Sequence, residues 1–70
     1  MIPKALVEQL RANFPAGTRV VLERMEDPQA PPIGTKGTVI CVDDIGSIHV
    51  AWDNGGSLAV VYGEDLCNKI

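Results

Sequence analysis

The sequence is poor in the residue types that most catalytic sites need. It holds one histidine, one tryptophan, one tyrosine, one phenylalanine and two cysteines. A lone imidazole offers no second ring for a histidine-based zinc site, and no serine motif accompanies it, so hydrolytic catalysis is not expected. Cys41 and Cys67 are far apart and form no Cys-x-x-Cys pattern, which argues against a redox pair or zinc ribbon. Basic residues are also scarce: six Lys and Arg stand against nine Asp and Glu, a net charge of −3. The bases are scattered singly, whereas the acids cluster at Glu26–Asp27, Asp43–Asp44 and Glu64–Asp65. Non-specific phosphate attraction calls for the reverse balance, so nucleic-acid binding is disfavoured. No apolar run approaches the ~20 residues of a membrane span. The opening "MIPKALVEQL" turns polar at its third residue, unlike a secretory leader. A cytoplasmic protein with reduced thiols, without metal or cofactor, is the expectation.

What is present is a change of hydrophobic period. Ile2, Leu6, Leu10 and Phe14 recur every four residues with Val7 beside them, which predicts a short amphipathic helix over 1–15. Pro3 suits its first turn, and Pro15 with Gly17 ends it. So short a helix does not stand alone in water, and its apolar face must dock on the domain or on a second copy. From Thr18 the period is two. "TRVVLERM", "TKGTVICVDD", "SIHVAWD", "SLAVVY" and "LCNKI" read as five strands, with a 3₁₀ turn at "GED". Between the first two lies "EDPQAPPIG", whose prolines favour a stiff loop over a ladder. Pairing Val42 with Ile48, Ile40 with Val50 and Thr38 with Trp52 puts apolar against apolar, with Cys41 facing His49 and Val39 facing Ala51 on the other side. The connecting loop is then Asp44–Ile45–Gly46. A second hairpin pairs Trp52 with Leu58 and Val50 with Val60 around Asn54–Gly55–Gly56. The candidate core is Val20, Leu22, Ile40, Val42, Ile48, Val50, Trp52, Leu58, Val60 and Leu66. Five short strands with this spacing suggest a mainly β fold: a small SH3-like barrel over 16–70 behind the N-terminal helix, in one domain.

The run from Gly17 to Leu66 resembles a small family catalogued as domain of unknown function 4314. The shared pattern falls on Gly17–Val20, Met25 with Asp27–Pro28, Gly34–Thr35 with Gly37–Val39, Val42–Asp44 with Gly46 and Ile48, and Trp52–Gly55. Tyr62 and Cys67 depart from it, where the family has a proline and a phenylalanine. The resemblance carries no activity; it implies a phage or mobile-element protein with an accessory, host-countering role.

Each candidate chemistry meets a simpler reading. Gly34–Thr38 lacks the spacing of a phosphate loop and precedes a strand, so it reads as a turn. Asp43, Asp44 and Asp53 lie at opposite ends of one strand pair, too far apart for one cation, and aspartate serves turns by binding its own backbone. His49 opposite Cys41 could form a nucleophile pair, but no third group orients it in sequence, and a structural pair is preferred. Trp52 faces inward in this register. The outer set Val39, Cys41, Ala51 and Val61 must be covered by the helix or a second subunit.

These readings converge on a non-catalytic binding module that recognises a host protein, its acidic surface favouring a basic patch. The candidate binding residues are Asp27, Pro28, Pro31 and Pro32 in the proline loop, and Asp43 and Asp44 at the first hairpin. His49, Trp52, Asp53, Asn54 and Tyr62 complete the set. Two alternatives stand beside it: a weak nucleic-acid-binding barrel, or a protein that sequesters a nucleotide signal between subunits, with Arg19, His49, Asp53 and Asn54 as polar contacts. Self-association through the helix or outer sheet face is expected.

Overall fold

The computed structural model describes residues 2–70; Met1, the first residue of the expected helical segment, lies outside the described residues. One helix, α1 (Lys4–Asn13), precedes five strands: β1 (Arg19–Arg24), β2 (Lys36–Val42), β3 (Ser47–Trp52), β4 (Val60–Val61) and β5 (Leu66–Lys69). They form one antiparallel sheet in the order β4-β3-β2-β1-β5.

The helix begins at Pro3, whose carbonyl accepts from the N–H groups of Leu6 and Val7. Val7 and Leu10 are buried, and Leu10, Ile2 and Phe14 pack on the sheet's core. The apolar stripe therefore docks on the body of the same chain. Arg11 fixes the docking: its Nε–H donates to the Val42 carbonyl at 3.1 Å, and Nη2 donates to Asp44 at 2.7 Å.

A repeated tetrapeptide opens the first two strands. Pro15-Ala-Gly-Thr18 and Pro32-Ile-Gly-Thr35 fold alike: each threonine N–H and hydroxyl donates to the proline carbonyl, and the glycines sit at φ +93° and +92°. That left-handed third position is the signature of a type II turn and favours glycine. In each copy the glycine N–H and threonine carbonyl then bracket one residue of another strand. Gly17 donates to Val39 O while Val39 N donates to Thr18 O; Gly34 donates to Leu22 O while Leu22 N donates to Thr35 O. Val39 and Leu22 are the residues so gripped, and both lie in the core.

Register departs from the expected alternation at one point. Val42 does face Ile48 and Cys41 faces His49, but a bulge at Ile40 shifts the rest, so that Val39 faces Val50 and Gly37 faces Trp52. An extra residue in one strand turns the side chains beyond it to the other face. Val39 is therefore buried and Ile40 is exposed, the reverse of the expected pattern. Cys41, Ala51 and Val61 are exposed, so of the expected outer set only Val39 is covered. The core comprises Leu10, Val20, Leu22, Met25, Val39, Val42, Ile48, Val50, Trp52, Val60 and Cys67. Leu66 is exposed, and Leu58 only packs against the core's edge.

The SH3-like barrel is not what forms. The sheet is open, with no ladder joining its edge strands β4 and β5. The reason lies at Val61. Its N–H donates to the Asp65 carboxylate at 2.9 Å, and its carbonyl accepts from the N–H groups of Glu64 and Asp65. The chain's own turn thus takes the groups a closing strand would pair with. The expected fourth strand, Ser57–Tyr62, shrinks to two residues for a related reason: the second hairpin is in another register. Ile48 faces Val60 and Ser47 faces Val61, and Trp52 N–H donates to Gly56 O, leaving Asp53–Asn54–Gly55 as the loop. The first hairpin loop is Asp44–Ile45–Gly46, as expected, closed by Asp43 N–H to Ser47 O.

Gly37 lies in β2 between β1 and β3. It pairs with Val20 and Trp52, and a Cβ there would lie 2.5 Å from Val50 Cγ1 and 2.8 Å from Trp52 Cε3. Overpacking of this kind costs about 1–3 kcal/mol. Gly37→Ala should lower the denaturant midpoint accordingly at unchanged slope; an unaltered midpoint would mean that this core has slack.

Candidate functional site

A concave feature follows the chain from Asn54 to Val61. Two cavities meet at Leu58. One, of about 560 Å³, is lined by Met25, Glu26 and Asp27 on one wall and by Leu58, Ala59, Val61, Glu64 and Asp65 on the other. The second, of about 230 Å³, continues between Gln29 and Pro31 and the segment Asn54–Leu58. Together they make a groove with the proline loop as one wall and the β3–β4 connection with β4 as the other. Four carboxylates surround its wider end, no basic side chain lines either part, and its apolar contacts come from Met25, Leu58, Ala59 and Val61.

Trp52 builds one wall from beneath. Its ring is buried, and its indole N–H donates to the Leu58 carbonyl at 2.8 Å, the partner a buried indole requires. That bond holds Leu58 off the β3 ladder. Among the described residues no hydrogen bond engages the N–H of Leu58 or either backbone group of Ala59. The opposite wall is shaped by Asp27, whose carboxylate accepts from Gln29 N–H while its carbonyl accepts from Ala30 N–H.

The sequence-derived candidates divide into three groups. Asp27, Pro31 and Asn54 line the groove, with Trp52 under its wall; Pro28 and Pro32 are exposed in the adjoining loop and Tyr62 in the turn after β4. Asp43, Asp44 and His49 lie instead at the β2–β3 hairpin. There Asp43 is the organiser. One carboxylate oxygen accepts from the N–H groups of Ile45 and Ser47, and the other accepts from His49 Nε2 at 2.8 Å. The orienting group that seemed absent from the sequence is thus Asp43, although no hydrogen bond joins Cys41 to His49 among the described residues. Cys41 is exposed, while burial pushes the Cys67 thiol up to about 11. Asp53 forms the third group: Arg19 grips it with two hydrogen bonds of 2.9 and 2.6 Å and also donates to Thr38. Arg19, His49, Asp53 and Asn54 therefore do not converge on one point, because Arg19 and Asp53 bind each other and His49 binds Asp43. No group of three or more His, Cys, Asp or Glu among the described residues is placed to hold a metal ion. No described helix is long and apolar enough to cross a membrane. Glu26, Glu64 and Asp65 are the groove carboxylates that sequence reasoning missed, their only signal being their place in the acidic pairs; Ala59 and Leu58 in the wall gave none.

The chain is thus a small, mostly β domain, one helix docked on an open five-stranded sheet, with an acidic groove beside one edge. Residues 3–70 match the family described as Domain of unknown function (DUF4314), and the chain belongs to that family. A search of curated proteins finds no match.

Two carboxylates are held below the ordinary range. His49 first, then the N–H of Ser47, lower Asp43; the hydrogen bonds from Arg19 lower Asp53. Depressed folded-state values mean that each contribution to stability is complete above the ordinary carboxylate range and is lost as pH falls through the lowered value. Thermal unfolding from about pH 5 down to about pH 2 should therefore show a falling Tm. The fall should be shallower in Asp43→Asn/Asp53→Asn, and an equal fall in both proteins would assign the loss to other groups.

Proposed function

We infer that this protein is a non-catalytic binding module that recognises a basic surface of a partner protein through the acidic groove. The observation that carries the reading is the composition of that groove: Glu26, Asp27, Glu64 and Asp65 around an apolar floor, with no cation among its lining residues. Such a surface attracts cationic side chains and repels phosphates, so it favours protein over nucleotide or nucleic acid. A net charge of −3 on 70 residues extends the same preference over the whole surface. The proline loop contributes one wall, in keeping with its candidacy in the sequence. The biological setting we propose is that implied by the family resemblance, a phage or mobile-element protein acting on a host protein in the cytosol to counter host defence.

The test is selection from a displayed random-peptide library on the parent protein and on Glu26→Gln/Asp27→Asn/Glu64→Gln. These positions are exposed, and amide oxygens keep the Asp27 turn intact. Enrichment of lysine- and arginine-bearing peptides that lose affinity on the variant is expected. Peptides without cations, or retained equally by the variant, would refute the reading.

A further inference from the structure

The groove differs from an ordinary acidic patch in having unpaired main chain along one wall. β4 is an edge strand, and each of its neighbours in sequence has a separate fate. Val61 is capped by Asp65, Glu64 and its own turn. Val60 pairs with Ile48. Leu58 gives its carbonyl to the Trp52 indole. Ala59, between them, has both backbone groups free among the described residues. Half-buried Ala59 and Leu58 line the acidic cavity itself. An amide and a carbonyl beside an apolar floor are what an added strand uses to bind an edge.

We propose that the occupant of the groove is an extended segment of the partner protein that pairs through its own main chain with Ala59 and carries lysine or arginine toward Glu26, Asp27 and Glu64. The proposal rests on the reading of the groove as a protein-binding site and specifies its mode. Two independent properties of the site select this occupant. Charge complementarity requires cations at the end where the four carboxylates gather. Shape requires a narrow, linear ligand, because the two cavities lie end to end along Asn54–Val61 and meet at Leu58. A strand meets both demands, since alternate residues point to opposite faces and can present apolar side chains to Met25, Leu58 and Val61 while cations reach the rim. A helix satisfies its own amides and carbonyls internally, is wider than a strand, and would leave both backbone groups of Ala59 unpaired.

Pairing along one edge uses the N–H of every second residue of the ligand. That parity supplies the test. The probe is a blocked peptide of alternating lysine and valine, about seven residues long, matched by two isomers that are N-methylated at either all lysines or all valines. Binding is followed by amide chemical shifts of the intact protein at low salt, where screening is weakest. The parent peptide should shift Glu26, Asp27, Ala59 and Glu64, and protect the Ala59 amide from hydrogen exchange. One methylated isomer should bind about tenfold or more weakly, the loss one or two backbone hydrogen bonds carry, while its counterpart binds like the parent. Equal affinity of all three peptides at the groove would overturn main-chain pairing yet leave the groove a charge-selective protein site. No shift with any of them overturns the proposal, and the display selection then decides the broader reading on its own. Concentration-dependent shifts at Ala59 without peptide would assign the groove to a second copy of this chain and also overturn it.

Discussion

The hydrogen bond from the Trp52 indole to the Leu58 carbonyl organises one whole side of this molecule. A buried indole must place its N–H, and here the Leu58 carbonyl receives it. Leu58 answers with its carbonyl and stands off the β3 ladder, which pairs only Val60 and Val61. β4 is cut to Val60–Val61 as a consequence, and the segment before it stands apart as a groove wall with free main chain at Ala59. The groove wall and the inferred mode of recognition follow from where one tryptophan directs its N–H, while the open edge follows from the capping of Val61 by its own turn.

The two hairpins are tied down in a different manner. Arg11 joins the helix to the β2–β3 hairpin, and Asp43 holds that hairpin through two backbone amides and His49. Arg19 and Asp53 bind β1 to the second hairpin across the β2 side chain Thr38. The ion pairs among these are exposed or half-exposed, and such pairs add little stability singly. Their use is positional: they fix the hairpins while the bracketing turns at Gly17 and Gly34 fix Val39 and Leu22. His49, Asp43, Asp44 and Asp53 are thereby spent on architecture, whereas the groove acids Glu26, Asp27, Glu64 and Asp65 form no ion pair among the described residues.

Much of this was legible in the residues. Four-residue spacing marked the helix and its docking face, and alternation marked four of the five strands within two residues of their ends, the fourth being much shorter than expected. The first hairpin followed from aspartate and glycine in a fixed frame. The bulge at Ile40 did not, because Val39, Ile40, Cys41 and Val42 form a continuous apolar run in which alternation cannot say which side chain turns inward. The second hairpin was ambiguous for the same reason: two glycines allow either loop, and Leu58 through Val61 are all apolar. Closure failed as an expectation because the local turn in which Asp65 caps Val61 occupies the edge groups, and turn composition at Gly63–Asp65 does not say which neighbouring amide the carboxylate takes. Glu64 and Asp65 read as surface charge until folding set them across from Glu26 and Asp27.

The central claim is that the main chain at Ala59 is unpaired in the free protein and waits for a partner strand. Residue-resolved amide hydrogen exchange on the protein alone reads this directly. The amides of Leu22, Val39 and Trp52, each donated to another segment, should be strongly protected, and that of Ala59 should exchange almost as an open amide. Protection at Ala59 equal to that at Val39 would mean the edge is already satisfied, and the groove would have no main chain to offer.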